Sequence, residues 1–369
     1  MNTHVRAIAF YLPQFHPIPE NDRWWGRGFT EWSNVVKAKP LFEGHYQPHL
    51  PADLGFYDLR VPEVREQQAE LARDAGIEGF CYWHYWFGSG KRALERVFNE
   101  VVQSGQPDFP FCLAWANESW TGRWHGLDDQ VIFEQTYPGL DDWRNHFMAL
   151  LPAFWDRRYV EVDGRKLFIL YRPAWIPDLA GFVNYWNGLA HEHGFKGFYF
   201  VSGDLNSSGR PFEELDGVFL RSIGNAMHEC RTPIPSLRWN YRARRLIARI
   251  VLRRKIPPVK MPLCCPYEAF VKKYGAWELG DKMFPCAVPN WDNTPRCGVR
   301  GEVLIGATPE LFASLVRTQV QKLASRPLEH RLLFIKSWNE WAEGNYVEPD
   351  AQFGKGCLEA LKRELKQND

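Results

Sequence analysis

The residues best suited to chemistry lie in one short stretch, 331–350, which reads RLLFIKSWNEWAEGNYVEPD. It opens on an uninterrupted apolar run, 332–335, the pattern of a strand buried on both faces. Directly after it come Trp338, Asn339, Glu340, Trp341 and Glu343. A strand exit that only had to turn would carry Gly, Asn or Asp; this one carries two indoles and two acids. If a helical turn begins near Asn339, the i, i+3 spacing puts Glu340 and Glu343 on one face. Two carboxyls so placed can divide proton donation from proton removal. The competing explanation is a solvated helix start, where acids favour the positive end of the dipole.

Such groups act only if a scaffold brings the strand end to a cavity. Eight apolar segments read as strands: 5–12, 77–87, 109–116, 166–171, 197–202, 216–220, 283–288 and 332–337. Helical periodicity alternates with them at 62–75, 92–103, 141–155, 182–193, 308–325 and 357–366. Thr308 and Pro309 form the cap and first turn of the fifth of these helices. This alternation predicts an α/β fold, a (β/α)8 TIM barrel, as one catalytic domain over 1–369. Catalytic groups of such barrels stand at the C-terminal ends of the strands.

Those ends are rich in groups that could line a binding wall. The first strand leads to Tyr11 and Gln14. A long loop at 17–57, expected over the barrel mouth, carries Trp32 and then His45, Tyr46 and His49. His45 and His49 are four apart, but Pro48 argues against a helix presenting both to a metal. The second strand ends in aromatics, and alternation puts Tyr82, His84 and Trp86 on one face, read here as the lining face. Trp115, Asn117 and Glu118 end the third strand, and Asn290 and Trp291 follow the seventh. With Trp338 and Asn339 these complete the expected substrate-binding set.

Composition narrows the chemistry. The chain has 17 Trp and 15% aromatic residues, many beside polar groups. Aromatic faces with hydrogen-bonding neighbours suit sugar rings. A net charge of +1 gives no global field favouring nucleic acid. There is no GxSxG elbow, P-loop or dinucleotide fingerprint. Glycosidic bond chemistry uses carboxylates, indoles, His and Tyr, and needs one acid held protonated, which burial against Trp would favour. A carboxyl separation of roughly 5–5.5 Å would suit direct attack and a wider gap water-mediated inversion.

The eight Cys show no metal-ligand spacing and read as buried thiols of a reducing compartment. No export signal or bilayer-length apolar run is visible, so a cytoplasmic location is expected, peripheral at the inner membrane. That last expectation comes from 231–260, which holds ten Lys and Arg and no acid. Trp239, Ala243, Ile247 and Ile250 recur there at near-helical spacing. This predicts a basic helix within an insertion at 225–280, touching an anionic membrane through 237–255 or packed on the barrel.

Taken together, YLPQFH (11–16), GFTEW (28–32), GHYQPHLP (44–51), WANE (115–118) and WNEWAEG (338–344) resemble the WbsX-type glycosyltransferases. That group is similar to a branch of the glycoside hydrolase family 99 endo-α-mannosidases. The resemblance implies a (β/α)8 barrel acting with retention on α-mannoside-like linkages, without metal or cofactor. In the hydrolases the two glutamates of a Glu-Trp-His-Glu-Gly motif carry the reaction. By resemblance Glu340 deprotonates the sugar's 2-hydroxyl for attack on the anomeric carbon, and Glu343 is general acid and then base. Ala342 stands where the hydrolases have His, so the chain looks more like the branch that builds O-antigen and capsule, on oligosaccharide or lipid-linked glycan. The alternatives are an endo-α-mannosidase-like hydrolase and a non-catalytic carbohydrate-binding barrel.

Overall fold

The computed structural model describes residues 5–121, 131–219, 223–231 and 261–366. All eight expected strands are present. β1 (Arg6–Tyr11) pairs in parallel with β2 (Gly79–Trp86) and with β8 (Leu332–Ile335). The ladder continues through β3 (Phe111–Trp115), β4 (Arg165–Leu170), β5 (Phe198–Ser202) and β6 (Gly217–Phe219). β7 is interrupted at Pro285: Met283–Phe284 pairs with β6 and Cys286–Ala287 with β8. Pro lacks the N–H that a central strand must donate, so β7 turns from one neighbour to the other there. The cylinder closes through it.

Every residue of β2 is buried, as expected of a parallel strand covered on both faces. One face fills the lumen: Phe10 packs at 4.9 Å on Trp83, 4.9 Å on Phe219 and 5.9 Å on Phe334. The other face meets the outer helices α1 (Pro62–Asp74), α2 (Glu95–Ser104), α3 (Leu140–Phe154), α4 (Leu179–Glu192), α5 (Tyr267–Gly275), α6 (Pro309–Leu323) and α7 (Gly356–Lys366). Thr308 caps α6 as expected, its hydroxyl accepting from Leu311 N at 3.3 Å. α2 starts later than its sequence pattern, because Arg92–Ala93 pairs instead with the end of β2. α5 was not anticipated; it packs Tyr267, Phe270 and Tyr274 into the core.

The loop expected over the mouth contains two short helices, Pro19–Trp25 and Trp32–Val35. The expected basic helix and its membrane-facing stretch 237–255 lie outside the described residues. Around them, the helix Ile223–Glu229 precedes the gap, and the strand Leu263–Pro266 pairs with Glu302–Ile305 after it. No helix among the described residues is long and apolar enough to cross a membrane. All eight cysteines are free thiols, five of them buried.

Candidate active site

β8 delivers its two acids through a tight, heavily fastened loop. Trp338 N donates to Phe10 O at 2.7 Å, tying the strand exit to β1. Asn339 staples the same place twice: its Oδ1 accepts from Leu12 N at 2.7 Å, and its Nδ2 donates to Leu12 O at 3.0 Å. Asn339–Glu340 then pairs antiparallel with Asn345–Tyr346, and Trp341–Glu343 forms one 3-10 turn between them. Gly344 closes the turn at φ 57°, where a Cβ would also stand 2.9 Å from that of Asp292. Only Gly meets both demands. Glu340 and Glu343 emerge side by side at the C-terminal mouth of the barrel.

They face a cleft of about 690 Å³. Trp25, Trp83, Tyr85, Trp120, Tyr171 and Trp291 supply its aromatic surface. Glu340 Oε1 accepts from Trp83 Nε1 at 2.8 Å and Ser337 Oγ at 3.1 Å. Lys336 Nζ donates to Glu340 Oε2 at 3.1 Å and lies 3.7 Å from Glu343 Oε2. Arg296 forks between two acids, donating to Glu343 Oε1 at 2.7 Å and, through Nε, to Glu31 Oε1 at 3.0 Å. The two glutamates are themselves hydrogen-bonded to each other.

That last contact requires a proton, and the electrostatics say where it sits. Burial is the strongest influence on both carboxyls and raises both. For Glu340 the Lys336 ammonium, the bond from Glu343, Arg296 and the Trp83 indole outweigh it, and the group falls below the ordinary carboxylate range. For Glu343 the neighbouring negative Glu340 adds to burial, and the group rises well above that range despite Arg296. At neutral pH Glu340 is an anion and Glu343 an acid. The charges agree: Glu31, Glu340 and Glu343 face Arg296 and Lys336, so one retained proton makes the buried cluster neutral, which its low dielectric demands.

Of the residues expected at the site, Gln14, Glu118, Trp291, Glu340 and Glu343 line this cleft. Glu118 receives Arg172 Nε at 3.1 Å. Asn117 lies beneath, bonding the backbone of Arg172. Tyr11, Tyr82, His84, Trp86 and Trp115 are corrected: they point away from the cleft, into the layer between barrel and helices. Tyr11 O–H donates to Gln68 of α1 at 2.6 Å, and Tyr82 packs on Phe98 of α2. His84 bonds His146 of α3 at 2.8 Å, Trp86 stacks on that same His146, and Trp115 Nε1 donates to Trp86 O. Burial lowers both histidines well below their usual value.

Trp32 is also a packing residue, wedged among Phe15, Tyr57 and Trp341. Trp338 is fully buried against Phe80, and Asn339 is the staple described above. His45, Tyr46, His49 and Asn290 line a different, smaller cavity. The sequence reading missed the cleft aromatics Trp25, Trp83, Tyr85, Trp120 and Tyr171 and the charged residues Glu31, Arg296 and Lys336. Lys336 and Glu31 sit inside noticed motifs, and Trp83 and Tyr85 are the alternate face of β2. Arg296 carries no local signal.

Comparison with known proteins shows the family and the fold. The family model described as "Glycosyltransferase WbsX" matches residues 7–361. Two proteins of Xanthomonas campestris pv. campestris, both called uncharacterized protein WxcX, are 38% identical over 363 residues, or 97% of this chain and 49% of theirs. The chain thus spans about half the length of the curated relatives it matches. Among solved structures, a glycoside hydrolase-like protein is similar with a TM-score of 0.58 at 13% identity, covering 98% of this chain and 94% of that one. The GH99 endo-alpha-mannosidase of Bacteroides thetaiotaomicron, in complex with BIS-TRIS-propane, gives 0.56 at 15% identity, covering 100% and 97%. At such identities the likeness is one of fold: the (β/α)8 barrel.

Proposed function

Because this chain belongs to the WbsX glycosyltransferase family, we propose that it is a carbohydrate-active enzyme whose acid–base pair is Glu340 and Glu343. The observation that carries this reading is the pair itself: two buried, mutually hydrogen-bonded carboxyls with opposed proton affinities, in a cleft walled by aromatic rings. Aromatic faces accept the apolar side of a sugar ring, and Gln14 and Glu118 offer polar contacts for its hydroxyls.

Glu343 holds the proton needed by a departing glycosidic oxygen. As it gives that proton up, its new negative charge raises the proton affinity of Glu340 beside it. Glu340 then takes the proton of the sugar's 2-hydroxyl as that oxygen attacks the anomeric carbon. The C–O bond to the leaving group breaks while the C–O bond to the 2-oxygen forms, and the pair retains one proton throughout. An incoming hydroxyl, deprotonated by Glu343, opens the strained ring on the opposite face, and Glu340 returns its proton to the 2-oxygen. Two inversions give net retention. Arg296 and Lys336 keep the cluster neutral at each stage.

In this reading the incoming hydroxyl belongs to a growing glycan, and the reaction is transfer of an α-mannoside-like unit in surface polysaccharide assembly. The motif resemblance supports it, as does Ala342 in place of the hydrolases' His. The basic stretch 237–255 would hold the enzyme at an anionic membrane that presents a lipid-linked substrate. Hydrolysis is the second reading, since water can enter in place of the acceptor against the same two carboxyls. Product analysis with a mannose-containing oligosaccharide, with and without an acceptor sugar, tests both. An extended acceptor supports transfer, and released reducing sugar supports hydrolysis. Sugar binding without turnover under either condition would refute the acid–base assignment.

A further inference from the structure

The motif at 44–51 is not used by the cleft. Its side chains line a second cavity, about 170 Å³, behind the wall that carries Glu343. Neighbours along that wall face opposite ways. Trp291 and Asn293 line the cleft, whereas Asn290 and Asp292 line the second cavity; Glu343 and Gly344 divide in the same manner.

Hydrogen bonding shows what this cavity offers. Tyr346 O–H donates to Asp350 Oδ2 at 2.8 Å, so its oxygen is free to accept from His49 Nδ1, also at 2.8 Å. His49 therefore carries its proton on Nδ1 and presents Nε2 as an acceptor. Burial lowers the His49 pKa against the pull of Asp292 and Asp350, which keeps the ring neutral. His49 Nε2 lies 4.0 Å from Asp292 Oδ2, beyond direct bonding. Asn290 Oδ1 is buried with no partner among the described residues. Asp292 is already occupied, accepting from His45 Nε2 at 2.7 Å, Gln47 Nε2 at 2.6 Å and Thr294 Oγ1 at 2.6 Å.

The cavity thus has two acceptors in surplus, His49 Nε2 and Asn290 Oδ1; the Asp350 carboxylate already accepts from Tyr346 O–H and from the main-chain N–H groups of Gln352 and Phe353. Asp292 and Asp350 in its lining would repel a phosphate or carboxylate. Among the described residues no group of three His, Cys, Asp or Glu is arranged to hold a metal ion. At its edge stand two exposed aromatic rings, Tyr46 at 39% and Phe353 at 36%. A ligand with several hydroxyl donors and one apolar C–H face satisfies all of these features.

We propose that the second cavity is a separate binding site for one neutral sugar ring, its hydroxyls donating to His49 and Asn290 and its apolar face resting on Tyr46. The cavity would select such a ligand whether or not the cleft is catalytic. The test is saturation-transfer NMR of the full chain with methyl α-mannoside, methyl α-glucoside and methyl β-galactoside at millimolar concentration. Tyr46→Ala removes the exposed ring without touching the core. Ala307→Phe fills the cavity from its partly exposed lining. Trp291→Ala alters only the cleft. At least one glycoside should bind about tenfold more weakly to Tyr46→Ala and Ala307→Phe, the size of one lost ring contact, and equally well to Trp291→Ala. Should Ala307→Phe not fold, Tyr46→Ala decides alone. Any other pattern, including no glycoside signal at all, overturns the assignment.

Discussion

The main-chain N–H of Asp292 donates to the carbonyl oxygen of Glu343 at 2.6 Å. The loop after β7 therefore holds the backbone of the proposed acid, and the Asp292 side chain is itself anchored by His45, Gln47 and Thr294. Replacing Asp292 by Ala strands four buried donors, His45 Nε2, Gln47 Nε2 and the hydroxyl and main-chain N–H of Thr294, at a cost of roughly 3–5 kcal/mol. Thermal melting should show a large loss. In the shape-conserving Asp292→Asn, kcat should fall while KM changes little, because the variant misplaces the acid more than the sugar. An unchanged kcat would argue against this buttress.

Turnover requires Glu343 protonated and Glu340 ionised together. The rate should therefore be bell-shaped in pH. Its alkaline limb should lie well above the ordinary carboxylate range, since burial and Glu340 raise Glu343. Its acid limb should lie below that range. Glu343→Gln should cost kcat roughly 10²–10⁴-fold and abolish the alkaline limb of what remains. Lys336→Met removes the cation nearest Glu340 and should move the acid limb upward.

Stability carries the same signature. A carboxyl raised by folding stabilises the native state fully below its unfolded pKa, and that contribution disappears as pH rises through the folded value. Glu343→Gln mimics the protonated side chain: its amide can donate to Glu340 while its oxygen accepts from Arg296. Its melting temperature should match the wild type at pH about 4 and exceed it increasingly toward alkaline pH. Parallel melting curves across the pH range would contradict a raised Glu343.

Trp83→Phe keeps the ring stacked on Phe10 at the lumen and deletes one donor to Glu340. A hydrogen bond to a charged group is worth roughly 1.5–3 kcal/mol. The rate should drop about ten- to a hundredfold, with the acid limb shifted upward. A loss of rate without any shift of the limb would assign Trp83 to substrate packing alone.

His84 gives the opposite expectation. It is locked to His146 in the outer layer, so His84→Phe should leave kcat within about twofold of the wild type, a change of under 0.5 kcal/mol in barrier. Both histidines are neutral in the fold because burial lowers them. Their contribution is present above the ordinary His pKa and is lost as pH falls below it. The variant should lose stability at neutral pH and resist acid unfolding better than the wild type relative to that baseline. Circular dichroism across an acid titration measures both.

The strands were legible because each barrel strand is a short apolar run between polar turns, and all eight ran within two residues of the expected ends. The face of β2 was not. Its alternation is plain, but all eight positions are buried and both faces are aromatic. Hydropathy therefore cannot distinguish lumen from outer layer, and His84 drew attention to the wrong side. Glu340 and Glu343 were legible from an unusual strand exit. Their charge partners were not, because Arg296 meets Glu31 across 265 residues of chain and no local pattern records such a meeting. The single Gly344 was the visible trace of Asp292, since a missing side chain in sequence is close approach in space.

The break in β7 leaves one side of the cylinder held by two ladders of two residues each, Met283–Phe284 to β6 and Cys286–Ala287 to β8. By comparison β2 and β3 share five registered pairs. That seam is where the wall should breathe first, and amide hydrogen exchange there should outpace the rest of the barrel. Asn290, Asp292 and Arg296 hang directly from it. Small openings at the weakest join of the staves would thus tug on the guanidinium that grips Glu343, so the mechanical give of the barrel and the proton balance of its mouth meet in the same dozen residues.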